Sequence, residues 1–183
     1  MLILEEKVNT TYEIKKSKFI SYLVPYCDFK TTMGTLKKSH PKARHFIYAY
    51  RYLNEFNQII ENCSDDGEPK GTSGKPTLAV IKGKNLINIG VITVRYFGGI
   101  RLGTGGLVRA YSFSTNLVID NAILNEYKKL EIYSITLDYR SLQRYEYKLS
   151  KLNINIIDKF FGNNVTLNIE CTNSDYKEFI STI

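Results

Sequence analysis

The chain has 183 residues, 43% of them hydrophobic, enough for one large domain or two small ones with packed cores. Lys and Arg number 25 against 18 Asp and Glu, a formal charge of +7, so the expectation is a soluble globular protein with a basic bias toward phosphate-rich partners. Nothing reaches the roughly 20 apolar residues of a membrane-spanning helix, because Lys82 and Lys84 interrupt the longest apolar stretch, and the opening "MLILEEKVNT" turns acidic too early for a secretory signal.

The basic excess is not shared evenly. Residues 1–123 hold 17 Lys and Arg against 10 Asp and Glu, whereas residues 124–183 hold 8 against 8. Cys27, Cys63 and Cys171 form no CxxC pair, which suits thiols in a reducing cytoplasm better than a disulfide framework or a zinc site.

In chain order, Thr11–Ile14 and Lys18–Val24 read as two short strands joined by a polar connection. Asp28 is placed to cap a helix running through Ser39, with Phe29, Met33 and Leu36 on its buried side and Pro41 beyond its end. "RHFIYAYRY" alternates, with Phe46, Tyr48, Tyr50 and Tyr52 on one face and His45, Ile47, Ala49 and Arg51 on the other. That is a strand, and a turn at Asn54–Asn57 pairs it with Gln58–Cys63.

"SDDGEPKGTSGKP" follows, a long loop stiffened by Pro69 and Pro76 and carrying Gly67, Gly71 and Gly74. Pro76 can open a short helix through Lys82. The nearly unbroken apolar run "INIGVITVRYF" then predicts a sheet-centre strand covered on both sides.

Five glycines fall within Gly98 to Gly106, before a helix predicted over Leu107–Ile123. A Walker loop is excluded, because Gly103 is followed by Thr104 and Gly105 and not by Lys and Ser or Thr. A GxGxxG dinucleotide fingerprint is excluded too, since Val108 stands where its third glycine would be.

What remains is a glycine turn leading into a helix N-terminus, the arrangement that offers free amides to an anion. The candidate anion or nucleic-acid residues are Lys75, Arg95, Gly98, Gly99, Arg101, Gly103, Gly105, Gly106 and Arg109. Tight packing alone would also call for such glycines, and Gly105 in particular is expected to reject a β-branched side chain.

After residue 126 the order strand, helix, strand, strand, helix is a split βαβ pattern of ferredoxin-like type lacking its last strand. Its elements are Ile132–Tyr139, Leu142–Leu152, Ile154–Phe160, Val165–Cys171 and a helix from Asp175. The expected domains are therefore 1–125 and 126–183, both α+β.

The blocks "ARHFIYAYR", "DDGEPKGTSGKP" and "RYFGGIRLGTGGLVRAY" together resemble the YigZ/IMPACT family over residues 15–123. The resemblance implies a first domain folded like the second domain of ribosomal small-subunit protein five, a ferredoxin-like second domain, and a link to translation. The partners it leaves open are RNA or the ribosome and translation machinery, with no membrane and no DNA-specific partner.

An enzymatic alternative rests on Asp65, Asp66 and Glu68, which could hold Mg²⁺ or supply a general base with His45 for a metal-assisted hydrolase. The same acidic run also suits a solvated turn. The reading preferred from sequence is a non-enzymatic, cytoplasmic regulator of translation without a cofactor.

Overall fold

The computed structural model describes residues 1–182 and is α+β, with ten strands and five helices. By backbone contacts it divides into two compact units, Met1–Tyr127 and the chain from Lys128 onward. No helix among the described residues is long and apolar enough to cross a membrane.

The first unit runs β1 (Leu2–Leu4), β2 (Val8–Ile14), β3 (Ser17–Pro25), α1 (Tyr26–Ser39), β4 (His45–Leu53), β5 (Ile59–Ser64), α2 (Gly74–Gly83), β6 (Ile89–Tyr96), α3 (Thr104–Asp120) and β7 (Leu124–Glu126). Five strands form an antiparallel sheet in the order β2-β3-β6-β4-β5. The apolar run is indeed its centre: seven of the eight residues of β6 are buried, because α1 packs on one face and α2 and α3 on the other.

The α2/α3 face carries the larger core, built on Leu23, Ala49, Ile81, Ile89, Val91 and Val118 and continued by Phe19, Ile47, Leu107, Ala110 and Tyr111. The opposite face packs Leu36, Phe46, Ile92 and Val94 beneath α1. Tyr48, Tyr50 and Tyr52 lie half-buried on this side. Their rings meet Tyr26 and Phe29 of α1, with Tyr26 and Tyr52 stacked at 3.8 Å between centroids.

Several boundaries differ from the sequence expectation: α2 begins at Gly74, two residues before Pro76, and β1 and β7 lie outside the expected strands. Asp28 is not the cap of α1; Pro25 ends β3 and the helix begins at once at Tyr26, so Asp28 sits in the first turn, where its charge faces the positive helix end. Helix α3 begins at Thr104, not Leu107, and so takes Gly105 and Gly106 into its first turn.

The second unit comprises β8 (Glu131–Leu137), α4 (Leu142–Lys151), β9 (Asn155–Phe161), β10 (Val165–Cys171) and α5 (Asn173–Ser181). Its sheet order is β8-β10-β9, with β10 antiparallel to both neighbours. This is the split βαβ arrangement, in which a crossover helix leaves room for a third strand between two parallel ones. Val165, Leu167 and Ile169 of β10 pack with Leu149 and Phe179 of the helices, while Thr166, Asn168 and Glu170 alternate to the less buried side.

Candidate functional site

Strand β6 delivers Arg95 to the place where the two glycine-bearing loops meet. Arg95 Nη1 donates to Glu68 Oε1, and both side chains are buried, at 6% and 4% exposure. The Tyr111 hydroxyl of α3 donates to the same oxygen at 2.9 Å. Burial, then the neighbouring Glu68 carboxylate, push the Tyr111 phenol well above its ordinary range, so it remains a donor.

The Arg95 guanidinium also lies over two rings, 5.4 Å from the Phe19 centroid and 5.8 Å from that of Phe97. Its Nε is buried without a hydrogen-bond partner.

The other two acidic residues of the loop are structural. Asp65 Oδ1 accepts from the Ser73 amide (3.1 Å), the Ser73 hydroxyl (2.7 Å) and the Gly74 amide (2.9 Å), while Oδ2 accepts from the Gly71 amide at 2.7 Å. It therefore caps α2 from a distance, in place of Ser73, whose side chain makes no cap bond. Asp66 Oδ2 accepts from the Phe46 amide at 2.6 Å, and the Asp66 carbonyl pairs with His45 Nδ1 at 2.8 Å. A carbonyl only accepts, so Nδ1 carries the proton.

Asp65, Asp66 and Glu68 thus point to three different partners. Among the described residues no three His, Cys, Asp or Glu side chains gather to hold a metal ion. His45 has a structural bond, and the metal-assisted hydrolase has no assembled ligand set.

Desolvation raises the Asp65 pKa, but its four hydrogen bonds outweigh it and hold the carboxyl below the usual range. A folded value below the unfolded one, which lies near 4, means stability fully present above that pH and lost as pH falls through the folded value. Asp65→Asn is accordingly expected to be less stable than wild type at neutral pH, by about 1–3 kcal/mol, because both carboxylate oxygens accept from donors and the amide NH2 replaces one of them. The gap should narrow as unfolding is repeated from pH 6 toward pH 2; a constant gap would contradict the assignment.

Around the Arg95–Glu68 pair opens a cleft of ≈ 430 Å³. Arg44, His45, Pro69, Phe97, Arg101, Leu102, Gly103, Thr104 and Leu107 complete its walls. Of the candidate residues, Arg95, Arg101 and Gly103 meet here. Arg109 and Gly106 line a different depression with Tyr12 and Phe113, and Lys75 lines another with Val80 and Val108.

Arg44, Phe97 and Thr104 join the cleft without having been singled out as site residues. Arg44 directly precedes β4, and Phe97 and Thr104 flank the glycine turn. Being next to an element's end was the available signal.

The five glycines have different reasons. At Gly98 a Cβ would lie 2.0 Å from the Lys16 carbonyl carbon, and the Gly98 amide bonds Ser17 Oγ at 3.2 Å, so this position is close packing against the β2–β3 turn. Gly99 and Gly103 have φ of +86° and +73°, where side chains are strained. Gly106 would bring a Cβ to 3.1 Å from Leu102 Cβ.

Gly105 has neither excuse. Its added Cβ would meet only Arg109 Nη1, at 3.8 Å, so the expected clash or positive φ is absent. Beside it α3 starts from Gly103 with no side-chain cap, the first helical bond running from the Leu107 amide to the Gly103 carbonyl at 2.9 Å. The amides of residues 103–106 are therefore the open positive end of a 17-residue helix.

The model of the Impact N-terminal domain matches residues 15–119, a span containing every wall of this cleft. An IMPACT family member of Haemophilus influenzae is 35% identical over 175 residues, covering 93% of this chain and 84% of the relative. The IMPACT family member YigZ of Escherichia coli is 34% identical over 183 residues, covering 98% and 82% respectively. A crystal structure of a hypothetical protein superposes with a TM-score of 0.68 and 33% identity, over 99% of this chain and 89% of that one. Likeness that runs through both units, and not only through the glycine loops, means that the chain belongs to the IMPACT family.

Proposed function

We propose that the protein is a cytoplasmic, non-enzymatic regulator of translation whose first unit binds RNA at the cationic cleft. The observation that carries this reading is the meeting of Arg44, Arg95 and Arg101 around the uncapped amino end of α3. Arg95 is matched by Glu68, but among the described residues neither Arg44 nor Arg101 has an ion-pair partner. Two uncompensated cations and a helix end attract phosphate.

The charge distribution supports the same reading, since the excess of basic residues lies in the part of the chain that holds the cleft. RNA affinity of the full chain, titrated with labelled RNA at several salt concentrations, should fall steeply as salt rises. Arg101→Ala should reduce the salt slope by about one unit and leave stability within about 0.5 kcal/mol, as for an exposed side chain. A flat salt response overturns the reading. If ribosomal or translation-factor protein, and no RNA, is captured by crosslinking in cells, the cleft serves a protein surface and the RNA proposal fails.

A further inference from the structure

The cleft has apolar walls as well as cationic ones. Phe97 is 55% exposed and lines it with Pro69, Leu102 and Leu107, its ring centroid 5.8 Å from the Arg95 guanidinium. The cleft volume, ≈ 430 Å³, lies in the roughly 300–1,000 Å³ range of small-ligand sites. A groove tracking the backbone of a long strand would present a row of aromatic platforms and not one.

The charges match a dianion better than a monoanion. Arg44 and Arg101 contribute two positive charges and α3 about half of another. A phosphodiester carries one negative charge, whereas a terminal phosphate carries about 1.5 to 2. Buried Arg95 lines the same cleft with an unpartnered Nε, a charged group short of hydrogen bonds in its wall.

We infer that the cleft recognises a single nucleotide bearing a terminal phosphate, with the phosphate on the amides at the start of α3 beside Arg101 and Arg44 and the base against Phe97. The inference deepens the RNA reading and rests on it. The shared chemistry is a nucleoside 5′-monophosphate group, whose source is either the 5′ end of an RNA strand or a free mononucleotide.

The test uses the full chain and two 3′-labelled eight-residue oligouridylates, one with a 5′-phosphate and one with a 5′-hydroxyl, followed by fluorescence anisotropy. Uridine 5′-monophosphate, uridine and inorganic phosphate serve as competitors. The phosphorylated strand should bind at least about tenfold tighter, and uridine monophosphate should displace it while uridine does not.

Arg44→Ala and Arg101→Ala, both at exposed side chains lining the cleft, should each shrink that preference severalfold, and Phe97→Ala should weaken competition by uridine monophosphate. Equal binding of the two strands with no competition by the mononucleotide overturns the inference and leaves the RNA reading standing. Binding of uridine monophosphate, measured directly by titration calorimetry, without binding of either strand supports the nucleotide cleft, names the free nucleotide as its source, and overturns the RNA reading. Inorganic phosphate competing as well as the nucleotide overturns the base contact and with it the assignment.

Discussion

Glu68→Ala is expected to cost about 3–5 kcal/mol of unfolding free energy, the usual penalty for removing one partner of a buried ion pair. The change leaves the Arg95 guanidinium in a site with 6% exposure, with Nε already unpaired, and it strips the Tyr111 hydroxyl of its acceptor. Urea unfolding followed by tyrosine fluorescence measures it, the chain having 14 tyrosines and no tryptophan. The triple variant Glu68→Leu with Arg95→Met and Tyr111→Phe should recover most of the loss, because apolar side chains of similar volume remove the desolvation costs of all three polar groups. A loss below about 1 kcal/mol for Glu68→Ala would instead be the behaviour of an exposed pair and would contradict the buried arrangement.

Gly98→Ala is the second large effect, at about 3 kcal/mol or more, at the top of the overpacking range. The obstruction is backbone: the new Cβ would fall 2.0 Å from the carbonyl carbon of Lys16 and 2.1 Å from its oxygen. No rotamer change relieves it. Lys15 and Lys16 are both in the left-handed region, with φ of 46° and 63°, so the turn they form has little freedom to retreat. Gly105→Ala is the matched control, seven residues on in the first turn of α3 and with open space around the new methyl. Equal stability of the two variants would refute the distinction drawn between packing glycine and open glycine.

Much of the first unit was legible from local pattern. The alternation in His45–Leu53 and the apolar run ending at Tyr96 each state how many faces of the strand are covered, and the structure puts the first beside the second, in the sheet interior. The glycine loop announced a helix start with exposed amides. Its starting residue was misread because Gly105 and Gly106 are poor helix formers, while the first helical turn depends little on propensity when the rest of α3 is held by Leu107, Ala110 and Tyr111.

The chemistry of the acidic loop was hidden for a different reason. A carboxylate shows in sequence that it can accept hydrogen bonds, not which donors reach it. Asp65 is satisfied within nine residues, by the amides of Gly71, Ser73 and Gly74, whereas Glu68 finds partners 27 and 43 residues away. The arginines illustrate the same limit. Arg101 and Arg109 are eight positions apart, and only the path of the loop into α3 sends the first to the cleft and the second to another depression.

The short pairing of β1 with β7, Leu2 opposite Glu126 and Leu4 opposite Leu124, also orders events in time. Leu2 is further held by the Asn85 carbonyl and by the Ile87 amide, so β1 waits for partners made much later. At about 5–20 residues per second, the roughly 120 residues between the two strands take about 6 to 24 s to translate. Within that interval the sheet and the helices over it can assemble, and β1 has only the Asn85–Ile87 segment to bond. Its pairing with β7 closes after the cleft is complete, by only the few residues between Asp120 and Leu124.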